Sequence, residues 1–139
     1  MTEPSLAFQI AIRNHLVTAS SVTDLVAPDW IIDGPTRPEH FPCIIVGESQ
    51  TLMVGRSYRT RSIEIFSDVH IWSAQEGGLA VVKEIGGVVW NALESLGEIP
   101  GFSMPDGIRI GSLRTMRDPK GHGHAVINVQ AMLEELHYA

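Results

Sequence analysis

Six histidines and one cysteine are the groups in this 139-residue sequence best suited to titrate or ligate near neutral pH. His122 and His124 alternate with glycine in Gly121-His122-Gly123-His124, and two neutral imidazoles can ligate zinc or copper. A metal centre needs three or four ligands, and no HExxH or cysteine pair supplies the rest. The plainer reading is a polar turn entering a strand. His70 stands two residues from Asp68, so a strand would place both on one face, where a carboxylate can orient an imidazole for acid–base work. No activated nucleophile accompanies them. Gly-x-Ser-x-Gly is absent, and Cys43 has neither a glycine-rich nor a helix-start context, so it reads as a small core residue. Nor is there a Gly-x-Gly-x-x-Gly or P-loop pattern to cradle phosphates. No residue is assigned to catalysis, to a cofactor or to a metal, and no cofactor is expected.

The arginines carry more information. Arg56, Arg59 and Arg61 fall within one short segment, and Arg109, Arg114, Arg117 and Lys120 within another, which together hold seven of the ten basic residues. Such charge usually marks a solvated face. The first cluster also contains Leu52, Met53, Val54 and Tyr58, and apolar side chains mixed with arginine on a protruding loop are typical of a protein-binding surface. These seven residues, with Trp30 from a proline-rich connector, form the candidate interface. A protein contact is preferred to a DNA contact because the whole chain is acidic.

Elements must position these groups. Residues 2–17 read as a helix with Thr2 as N-cap, Glu3 and Pro4 in the first turn, and Leu6, Ile10, Ala11 and Val17 at helical spacing. Ser20 or Ser21 can cap a short helix over 22–26, which Pro28 ends. The prolines of residues 27–42 exclude a regular helix or central strand, leaving an anchored connector in which residues 30–32 can form a short edge strand. Residues 43–48 are β-branched and strand-like; 50–61 are looser around Gly55; 62–72 alternate strictly and give the clearest strand. A helix follows over 79–96, with Trp90 on its apolar side, Gly97 as C-cap, and Gly86-Gly87 explained by close packing on a sheet. Strands over 108–117 and 124–136 flank the turn Asp118-Pro119-Lys120-Gly121. The order predicts an α+β fold, a mostly antiparallel sheet of four to five strands with two main helices packed on one face.

Composition narrows the class. The length suits one domain spanning 1–139, and 44% apolar with 19% charged residues favours a folded core over disorder. One cysteine excludes an internal disulfide or cysteine-rich zinc site. The net charge of −6 argues against general nucleic-acid binding. No run approaches the roughly 20 apolar residues of a membrane span, and Met1-Thr2-Glu3-Pro4 lacks the basic start of a signal peptide, so folding in a cytoplasm is expected.

Several blocks in order carry a resemblance: Phe41-Pro42-Cys43-Ile44-Ile45-Val46-Gly47-Glu48, then His70-Ile71-Trp72-Ser73, then Val89-Trp90-Asn91-Ala92-Leu93, then Arg117-Asp118-Pro119-Lys120-Gly121-His122-Gly123-His124-Ala125. Together they resemble the tail-completion and tail-terminator family of tailed phages, which also occurs in prophages and gene transfer agents. The resemblance implies a fold like the lambda tail terminator and a homo-oligomer, usually a hexameric ring, at the head-proximal end of the tail tube. Its implied partners are the tail tube protein on one side and a neck or connector protein on the other, with DNA passing through the lumen without specific binding. It implies a virion location after assembly in the host cytoplasm, and no enzymatic residues. Two other readings stay open: a neck or minor tube adaptor of related fold, and a small histidine-dependent enzyme using His70 or His122 and His124.

Overall fold

The computed structural model describes residues 3–34, 37–74, 76 and 78–136. Thr2, the expected N-cap, and Gly77 lie outside them. Helix α1 (Pro4–Thr18) is capped by Glu3, whose carboxylate accepts from the backbone N–H of Ser5 at 3.1 Å and of Leu6 at 2.9 Å. The buried stripe is Pro4, Ala7, Phe8, Ala11, Ile12 and Leu16. This corrects the expected face: Leu6 and Ile10 stand 46% and 47% exposed. Apolar residues occur on both sides of this helix, and the side carrying Phe8, Ile12 and Leu16 removes more apolar surface from water, so it wins. Helix α2 (Ser20–Thr23) starts earlier than expected and has no side-chain cap; the Ala19 carbonyl accepts from Val22 and Thr23 instead. A single 3-10 turn, Pro28–Trp30, leads into the short strand β1 (Ile31–Asp33).

Strands β2 (Cys43–Arg56) and β3 (Thr60–Ser73) form a hairpin of 14 residues a side, so the segment expected to be loose is strand almost to its tip. The pairing runs from Cys43↔Trp72 to Arg56↔Arg61, with irregularities between Val46 and Ser49 and between Met53 and Gly55 that absorb Gly47-Glu48 and Val54. β3 is held on its other side by β5 (Gly123–Leu136) over the whole register from Thr60↔Leu136 to Ser73↔Gly123. That continuous template extends β2 beyond its own β-branched core. β4 (Ile108–Arg117) pairs with β5, giving a five-stranded sheet ordered β1-β2-β3-β5-β4, antiparallel except for β1 against β2. The fold is therefore α+β with a mostly antiparallel sheet.

Helix α3 (Gly78–Glu94) buries Val82, Ile85, Gly86, Val89, Ala92 and Leu93. With the buried stripe of α1, these join one hydrophobic cluster with Ile44, Val46, Ile63, Ile65, Val69, Ile71, Ala125, Ile127, Val129 and Leu133, the inward residues of β2, β3 and β5. Trp90 is only half-buried, not core. α3 ends at Glu94 without Gly97, which lacks a positive φ; the freed Ala92 carbonyl accepts from Ser95 Oγ and from His15 Nε2 of α1, both at 2.8 Å. The expected close approach at Gly86-Gly87 is absent. A Cβ on Gly86 would make ordinary 3.6 Å contacts with Leu113, and one on Gly87 would meet open space. The close approach is at Gly123, where a Cβ would lie 2.9 Å from the Gly78 carbonyl oxygen.

Candidate assembly interface

The β2–β3 hairpin outruns the rest of the sheet on one side. β1 covers β2 only at Ile44, Ile45 and Val46, and every residue from Glu48 to Arg59 is exposed. Leu52, Met53, Val54 and Tyr58 are 41%, 56%, 54% and 73% exposed, a dense run of apolar surface for a free-standing chain. The reversal at Ser57-Tyr58-Arg59 is held by Ser57 N–H donating to the Thr60 carbonyl at 2.8 Å and Thr60 N–H donating to Ser57 Oγ at 3.1 Å. Arg56 and Arg59 make no ion pair among the described residues.

Six of the eight candidate residues thus share the hairpin's exposed end. Arg61 stands beside the turn, opposite Arg56, but is half-buried: its guanidinium pairs with Glu135, Nε donating to Oε1 at 2.9 Å, and Glu135 is only 6% exposed. The pair ties the turn end of the hairpin to β5. Trp30 lies apart, half-buried against the core beside β1 and stacked on His40 with ring centres 4.3 Å apart.

His70, His122 and His124 lie toward the other end of the sheet, with other roles. His70 and His124 face outward from neighbouring strands, His70 Nδ1 lying 2.9 Å from His124 Nε2, and His124 stacks on Trp72 at 3.8 Å. Burial, then the neighbouring charge of His70, pushes the pKa of His124 down to about 4, against the pull of Asp118. His70 leaves Asp68, whose carboxylate accepts from Asn128 Nδ2 at 3.2 Å instead. Gly47 makes room for the His70 ring, since a Cβ there would lie 2.8 Å from its Cδ2. His122 points elsewhere, paired with Asp118 at 3.1 Å and stacked on Phe41. Asp118 organises the turn, Oδ1 accepting from the N–H groups of Lys120 and His122 at 2.9 and 2.7 Å. Burial raises the carboxyl pKa of Asp118, but the His122 and Lys120 bonds outweigh it and hold the group below its ordinary value. Among the described residues no group of three or more His, Cys, Asp or Glu could hold a metal ion. Cys43 is buried and its thiol is pushed up to about 12, so it stays protonated. The strand-to-strand contact of His70 with His124 and the Arg61–Glu135 pair were missed in the sequence because both depend on β3 lying beside β5.

Over residues 10–134 the chain matches the model of a family described as tail completion protein gp17. The chain belongs to that family. Membership makes it a structural protein of a virion tail, not an enzyme. No curated protein matches it. Among solved structures it is similar to a chain of the "Virion of native gene transfer agent (GTA) particle", with a TM-score of 0.80 at 16% identity, covering 94% of this chain and 96% of that one. At that identity the likeness is one of fold.

Proposed function

We propose that this tail completion protein is the subunit of a closed ring, six-fold by the family resemblance, that caps the head-proximal end of a tail tube. The whole chain acts as one domain in that ring. The tube protein lies on one side, a neck or connector protein on the other, and DNA passes through the lumen. The observation that carries this reading is the exposed hairpin end, with Leu52, Met53, Val54 and Tyr58 beside Arg56 and Arg59. A ring needs heterologous contacts, one patch on a different patch of the next copy, and the hairpin's exposed end, with the outer edge of β2 uncovered by β1 beyond Val46, supplies such a patch. A lumen wall that is acidic on balance, with a chain charge of −6, would let DNA slide, because phosphate contacts are what supply non-specific affinity.

Native mass spectrometry of the purified chain, with and without tail tubes, tests the ring. The expected result is a discrete ring mass, lost in Arg56→Glu/Arg59→Glu while the melting temperature holds. A chain that stays monomeric in both conditions rejects the reading.

A further inference from the structure

The ring reading leaves open where the hairpin lands, and the fold supplies a complement. Residues 49–61 contain three arginines and no acidic residue, whereas residues 94–107 contain Glu94, Glu98 and Asp106 and no lysine or arginine. With Arg61 committed to Glu135, Arg56 and Arg59 remain at the tip. Glu94, Glu98 and Asp106 are all exposed and make no ion pair among the described residues. The two segments lie at the same end of the sheet. Arg56 pairs with Arg61, Arg61 with Glu135, and the neighbouring Glu134 bridges to Ser103 in the acidic loop, through backbone bonds of 2.9 Å in both directions. Along this row the hairpin forms one lateral edge and the loop the other. Three strand spacings, about 14 Å, separate them. That exceeds the screening length of roughly 8 Å at physiological salt, so the two charges do little to neutralise each other within one subunit.

Opposite charges at one height on opposite edges are the arrangement a rotational repeat needs, because the tip of one copy then meets the loop of the next. We propose, resting on the ring reading, that Arg56 and Arg59 of one subunit dock on Glu94, Glu98 and Asp106 of its neighbour. The apolar parts also correspond. Leu52, Met53 and Tyr58 are exposed around the arginines, and half-buried Phe102 and Met104 lie within the acidic loop beside exposed Pro100 and Pro105. An apolar contact ringed by charge has the anatomy of a specific interface. Arg109, exposed at the start of β4, is the first cation beyond the loop and limits how far the acidic patch extends.

Charge reversal tests the pairing. Arg56→Glu/Arg59→Glu makes both surfaces acidic; Glu94→Arg/Glu98→Arg makes both basic. Each alone is expected to need at least about tenfold more protein to form rings, with an unchanged melting curve. Mixed in equal amounts, the two should form alternating rings near the wild-type concentration, and one chain carrying all four changes should do the same. If either variant forms rings like the wild type, or if mixing restores nothing, the contact is wrong while the ring reading stands. If the wild-type chain forms no ring, alone or on tubes, both fall.

Discussion

His124 shows how a residue suited to chemistry becomes a structural one. Stacked on Trp72 and in contact with His70, it is desolvated first and repelled second, and its pKa falls to about 4. An unfolded chain takes up that proton near pH 6.5. Between about pH 6.5 and 4 the unfolded state therefore binds more protons than the folded one. Stability is complete above that window and falls as the pH drops through it. Urea midpoints measured from pH 7.5 downward should decline for the wild type and decline less steeply for His124→Gln, the difference opening before the carboxylates titrate. Parallel curves would show that His124 is not the group responsible. At this scale the sequence was partly readable. Alternation over residues 62–72 placed His70 on the outward face, and the isolation of Cys43 from any activating context agreed with its burial. The partners were hidden, because Asp68 with His70 and His122 with His124 are neighbours only in sequence. The sheet gives each a cross-strand or turn partner instead.

At the scale of elements, the strands were legible where β-branched residues alternate and obscure where they do not. Residues 50–56 contain Gly55 and polar side chains, and their extended form comes from pairing with β3, which β5 holds along its full length. α1 was ambiguous because Leu6 and Ile10 mimic a buried stripe, while the choice rests on which side meets β2 and α3. The glycines divide similarly. Gly87 is exposed in a helix with space for a methyl, so Gly87→Ala should raise stability by about 0.5–1 kcal/mol. Gly123 lets β5 approach the start of α3, and a methyl there would press on the Gly78 carbonyl and Val82, so Gly123→Ala should cost about 1–3 kcal/mol. Equilibrium unfolding of the two variants checks both signs. Two equal effects would mean that packing of helix on strand does not distinguish these positions.

At the scale of the whole molecule, the net charge of −6 conceals a separation into a basic hairpin and an acidic loop across about 14 Å of sheet. The basic half was visible as a cluster in the sequence. The acidic half was not, because Glu94, Glu98 and Asp106 are spread over a helix end and a loop, and it is the bridge from Ser103 to Glu134 that brings the loop level with the tip. Complementary edges would suit the molecule to a ring, and family membership places the protein in a virion tail. In the proposed ring this protein ends growth of the tube. The direct measurement is the length distribution of tail tubes, by electron microscopy, in particles assembled with and without this chain. The account predicts uniform lengths with it, and over-long tubes unattached to heads without it. Identical length distributions in the two preparations would contradict it.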